Sequence, residues 1–172
     1  MTLPSEDSDL CAGLWNESKY MFVFGGNYAG YFDLDSGNWF PTLPNPGLRK
    51  AGCVSYNYQG EDHVVMAGGF GGPSYAENQV FRINLQRNAM DRLPDLIHSR
   101  PNSPSITVDR VDDPNDQLPA LMVAGGSGSL DVEVLVIDNS EAWDLANDVL
   151  AEAKVDHSTV SWQNVDVFCR HM

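Results

Sequence analysis

Short apolar runs separated by Gly, Pro, Asn and Asp fill the chain and predict roughly fourteen short strands joined by turns. Val132, Val134 and Val136 share one face of such a strand, while Met21 and Val23 alternate with Phe22 and Phe24. Helix is expected only over NDVLAEAK at 147–154.

The runs repeat. An apolar strand ends in paired glycines three times, in YMFVFGG at 20–26, HVVMAGG at 63–69 and LMVAGG at 121–126. The first glycines lie at 25, 68 and 125, so the steps are 43 and 57, and the longer step contains the polar insertion DRVDDPNDQLP at 109–119. Past the glycines, YFDLDSGNW (31–39), FRINLQRNAM (81–90) and VLVIDNSEAW (134–143) each read as a strand, a polar turn and a large apolar residue, with Trp39, Met90 and Trp143 in the same place. Before them lie AGLW at 12–15, GCVSYNY at 52–58 and PSITV at 104–108, and HSTVSW at 157–162 begins the pattern once more. One unit is therefore four short strands.

Charge narrows the partners. The 172 residues carry 10 basic and 24 acidic side chains, a net charge of -14, so a nucleic-acid backbone or an anionic membrane surface is repelled. The asymmetry is uneven, with 7 basic and 11 acidic residues up to position 100 and 3 and 13 beyond it. No apolar run reaches the length of a membrane helix, and the start, MTLPSEDSDL, lacks the pattern of a secretory leader, which makes a cytoplasmic location the expectation. Cys11, Cys53 and Cys169 are odd in number, far apart and without CxxC spacing, which argues against a zinc site or a disulfide framework and predicts buried free thiols.

The glycine pairs, the Tyr- or Phe-containing strand after them and the Trp positions resemble kelch repeats, from about Asp9 to Phe168. Met90 stands where the family prefers Trp, and Leu135 where it prefers an aromatic residue. The resemblance implies an all-β, kelch-type propeller fragment of about three and a half four-stranded blades in one domain over 1–172. The blades fall at about 10–45, 50–95 and 102–146, with half a blade at 156–169. An arc of that kind leaves strand edges open, and self-association is expected of it.

Other chemistry is weak in the sequence. GGFGG at 68–72 has no Lys-Ser/Thr and no helix behind it, so Gly25, Gly26, Gly68, Gly69, Gly125 and Gly126 are expected to be structural. DLDSGN at 33–38 lacks the closing Glu of a calcium loop and reads as a hairpin turn. Asp109, Asp112, Asp113 and Asp116 read as a solvated acidic loop, and His63, His98, His157 and His171 have no metal-ligand spacing, so neither metal nor cofactor is expected. Asn16-Glu17-Ser18 is a glycosylation acceptor sequence only for a chain in the secretory pathway.

In kelch domains that bind peptides, contacts come from loops after the glycine pairs and from loops entering each first strand. On this sequence the first set is Asn27, Tyr28, Phe70, Ser74, Tyr75, Ser127 and Ser129, and the second is Arg49, Lys50, Arg100 and His157. The resemblance thus implies a protein-interaction module without catalysis, and the bases Arg49, Lys50 and Arg100 in loops beside aromatic residues make a peptide or loop that carries carboxylates the expected partner. The alternatives are a fragment of a carbohydrate-active or other propeller enzyme, whose active-site constellations find no match here, or an incomplete gene product.

Overall fold

The structure, a computed structural model, describes residues 10–15, 19–71, 77–110, 119–126, 130–137, 142–149, 157–162 and 165–170. For 109–110, 147–149 and everything from 157 onward it describes the backbone alone. The chain is all-β, with no helix among the described residues. Strands β1 (Cys11–Trp15), β2 (Tyr20–Phe24), β3 (Ala29–Asp33) and β4 (Trp39–Phe40) form the first antiparallel sheet in chain order. Then β5 (Leu48–Arg49) leads into β6 (Gly52–Tyr58) and β7 (Glu61–Ala67), and β8 (Phe70–Gly71) turns back to pair with β5. The second sheet is β6 and β7 followed by β9 (Val80–Asn84) and β10 (Ala89–Arg92). The third is β11 (Ser105–Arg110), β12 (Pro119–Ala124), β13 (Asp131–Val136) and β14 (Asp144–Val149), and β15 (His157–Trp162) pairs with β16 (Val165–Arg170) as a hairpin.

The first strands gather. β1 lies beside β6, β6 beside β11, and β11 beside β15. This stacking explains why HVVMA on β7 is a continuous apolar run instead of an alternating one. Val64 and Met66 face the first sheet and join Phe22, Phe24, Phe81 and Ile83 in one core cluster. Val65 and Ala67 face the third sheet and join Val80, Leu121, Val123, Leu135 and Ile137 in another. A sheet buried on both faces has no solvent side to be polar. Each buried Val, Leu, Ile or Phe stabilises the fold by roughly 1.5–3 kcal/mol relative to exposure.

Local chemistry sets the turns. After β3, Asp33 Oδ1 accepts from the N–H of Asp35 at 3.0 Å and of Ser36 at 3.1 Å, and Gly37 closes the turn at φ +71°. The Ser36 N–H, with help from that of Asp35, holds the Asp33 carboxyl below its usual range. The expected hairpin turn at 33–38 is thus formed. The polar insertion connects β11 to β12, whose ends pair at Arg110 and Pro119, and residues 111–118, with Asp112, Asp113 and Asp116, lie outside the described residues.

Two expectations are corrected. The helix foreseen at 147–154 begins inside β14, which pairs with β13 through Val149, while 150–154 lie outside the described residues. Its helical spacing lost to the ladder that β13 offers. Cys11 and Cys53 are not free thiols but a disulfide, with Cα atoms 6.1 Å apart across a separation of 42 residues. Sequence spacing could not show this, because the pair meets only where β1 and β6 lie side by side.

Candidate functional site

Chain segments entering β6 and β11 run across the glycine pairs at one end of the sheets. Gly69 has φ +74°, and a side chain there would run into the Arg49 carbonyl oxygen and lie 2.7 Å from the Ala51 nitrogen. Its N–H donates to the Arg100 carbonyl at 2.9 Å, while the Ser103 N–H donates to that of Lys50 at 2.7 Å. Lys50, Asn102 and Ser103, all here, hold positive φ at 48°, 59° and 55°. Non-Gly residues held in this region cost of order 1–3 kcal/mol each and concentrate at binding sites.

Close approach and positive φ separate in a simple comparison. Gly37, at φ +71°, has open space where a side chain would go, so Gly37→Ala meets only the backbone cost of about 1–2 kcal/mol. Gly69→Ala must also displace the backbone of the segment entering β6, and its unfolding midpoint is expected to fall clearly further. Equal falls in a thermal melt would show that the crossing does not constrain the glycine pair.

The predicted residues divide. Tyr28 and Arg49 flank the first glycine pair: the Tyr28 ring lies 3.5 Å from where a Gly25 side chain would begin, and the Arg49 stem crosses Gly26. Asn45 Nδ2 donates to the Gly25 carbonyl at 3.1 Å, and Arg49 sits opposite Phe70 in the β5–β8 pair. Asn27 is exposed, and Tyr28, Arg49, Lys50 and Phe70 are half-buried. Ser74, Tyr75, Ser127 and Ser129 lie outside the described residues, as does the side chain of His157.

Arg100 is corrected outright. Its side chain is 0% exposed and cannot reach a partner from a loop. Arg100 Nε donates to Glu133 Oε1 at 2.8 Å, and its two terminal nitrogens donate to the carbonyls of Gly125 at 2.7 Å and Asp131 at 2.8 Å. Glu133, equally buried, accepts from the N–H of Ile97 at 2.5 Å and of His98 at 3.2 Å. The pair therefore clamps the segment entering β11 onto the third sheet. Sequence reasoning missed Glu133, although a single acid inside the apolar run VEVLV at 132–136 was a signal of a buried, paired charge.

Several bases elsewhere among the described residues find partners. Arg82 pairs with Asp91 at 3.5 Å, Arg87 with Glu61, Arg92 with Asp95 at 2.8 Å, and Lys19 lies 5.3 Å from the Tyr20 ring centre. Among the described residues, the Arg49 and Lys50 side chains have no hydrogen-bond or ion-pair partner, and the Tyr28 hydroxyl is buried without one. No group of three or more His, Cys, Asp or Glu side chains converges on a metal-sized point among the described residues. No family model matches the chain, and no curated protein matches it.

Proposed function

We propose that the chain is a kelch-type partial propeller whose glycine-pair end binds a carboxylate-bearing peptide or loop, with no catalysis of its own. Three four-stranded antiparallel sheets with neighbouring first strands are what such blades require, and the glycine crossings at one end agree with the repeat. The observation that carries the binding site is that Arg49 and Lys50, beside Tyr28 and Phe70, have no hydrogen-bond or ion-pair partner among the described residues. A guanidinium takes a carboxylate in two parallel hydrogen bonds, and the neighbouring half-buried rings supply apolar area. Repulsion from the surrounding acids is screened beyond about 8 Å at physiological salt, so close contacts decide.

The working compartment follows the disulfide. A Cys11–Cys53 bond supports an oxidising environment over the cytoplasmic one expected from the first residues.

A peptide array comparing Asp- and Glu-bearing sequences with their Asn and Gln counterparts tests the site. The acidic members are expected to bind preferentially, and Arg49→Ala to weaken them at least about tenfold, a loss of about 1.4 kcal/mol, with an unchanged melting temperature. Equal binding of acid and amide peptides, or full binding by Arg49→Ala, would remove this face from consideration.

A further inference from the structure

The Cys11–Cys53 bond lies at the glycine end of the sheets, beside the Arg49 site. Cys11 stands opposite Phe24, next to Gly25, whose N–H closes the following turn by donating to the Tyr28 carbonyl at 2.8 Å. Cys53 follows Lys50 by three residues and packs, with Ala51, against the core cluster that holds Cys11, Phe24 and Ala29. The bond thus joins the strands that present Tyr28 to the segment that presents the two bases.

The repeats supply an internal comparison. Opposite the last residue before each glycine pair stand Cys11, Gly52 and Ser105, and one residue further along β6 and β11 stand Cys53 and Ile106. The Cys11–Cys53 contact between the first and second sheets therefore has its counterpart in Gly52 and Ile106 between the second and third, where a side chain begun at Gly52 would lie 3.2 Å from Ile106 Cγ2. Sheet stacking there needs no bond. At that junction Arg100 is fixed on Glu133 at 2.8 Å, whereas Arg49 finds Phe81 in the place of Glu133 and stays unpaired. The junction that leaves its base free is the one that carries the covalent tie. We propose that the Cys11–Cys53 bond holds the Arg49–Lys50 segment and the Tyr28 turn in their binding geometry, and that a dithiol which reduces the bond switches the site to weak binding.

This regulation rests on the carboxylate-binding reading of the site. In the reduction the S–S bond breaks, the two sulfurs take up two electrons and two protons, and the dithiol closes to its own disulfide. Without the bond the ligand itself must order the two segments, and that ordering is subtracted from its affinity. Linkage is reciprocal: a ligand that binds the oxidised form about tenfold more tightly makes the bond about tenfold harder to reduce, a shift of about 30 mV for two electrons.

Amide hydrogen exchange and peptide affinity test it, measured on the oxidised chain, the dithiothreitol-reduced chain and Cys11→Ser/Cys53→Ser at a temperature where circular dichroism shows all three folded. Reduction is expected to speed exchange at least about tenfold in 25–29 and 45–52 with β12 and β13 unchanged, and to weaken the acidic array peptides at least about tenfold. The double-Ser variant should match the reduced chain and ignore dithiothreitol, and saturating peptide should make the bond harder to reduce by the same factor. Leu135→Ala, a truncation in the other core cluster, should lower the melting temperature and leave peptide affinity unchanged. Peptides that bind neither form would remove the carboxylate reading and the affinity switch with it, while the exchange result is read without any peptide. Equal affinity of oxidised and reduced chains, exchange that is unchanged or rises alike in all sheets, a bond that dithiothreitol cannot open in the folded chain, or an equal loss of affinity in Leu135→Ala would overturn the switch.

Discussion

Replacing Cys11 and Cys53 with Ala is expected to remove about 4 kcal/mol of stability, the largest effect of any change outside the buried ion pair. The bond closes a loop with a sequence separation of 42, and in the chain-entropy account a loop of that size restricts the unfolded ensemble by about 4 kcal/mol at 25 °C. It also ties β1 to β6, the first strands of two sheets whose contact buries Phe22, Phe24, Val64 and Met66. At about 2–4 °C per kcal/mol for a chain of this size, the melting temperature should fall by roughly 8–16 °C. Reductant should reproduce the fall in the parent and do nothing to the double-Ala variant. A parent whose melting temperature ignores reductant would mean that the cross-link does not support the fold.

Arg100→Ala is expected to cost about 3–5 kcal/mol, because it leaves the Glu133 carboxylate buried and unpaired. Glu133→Ala should cost a similar amount by stranding the guanidinium. Replacing both by apolar residues is informative, since a simple buried ion pair often tolerates that exchange. Here the two side chains also satisfy the N–H groups of Ile97 and His98 and the carbonyls of Gly125 and Asp131. Each backbone group left buried and unmade costs about 1–3 kcal/mol. The Arg100→Met/Glu133→Leu double variant should therefore remain well below the parent in urea unfolding. Recovery to parental stability would show that the backbone contacts contribute little and that the pair acts through charge alone.

Strand existence was legible because period-two runs and turn residues act locally. GCVSYNY at 52–58 and HSTVSW at 157–162 coincide with β6 and β15. PSITV at 104–108 became β11 at Ser105–Arg110, since pairing with β12 extends the ladder past the apolar residues. Equivalent positions also diverged once packed. Trp143 is buried and donates from its indole to the Pro94 carbonyl at 2.8 Å, whereas Met90 on an edge strand is exposed. Of the loop residues singled out, Arg49 and Arg100 look alike in sequence, each a base ahead of a first strand. Only Arg100 meets an acid, because Glu133 on β13 has Phe81 as its counterpart in the second sheet and Gly30 in the first.

By itself the sequence determined what is periodic or bound to a neighbour in the chain: the all-β character, the four-strand unit, the glycine pairs and the Asp33 turn. Only the tertiary structure decided which side chains meet across the repeats: Cys11 with Cys53, Arg100 with Glu133, and the two faces of β7 with two different sheets. The physical reason is that alternation and turn chemistry are set by dihedral angles a few residues apart. Pairing across 33 or 42 positions depends instead on how whole sheets stack, and identical local patterns can stack against different neighbours.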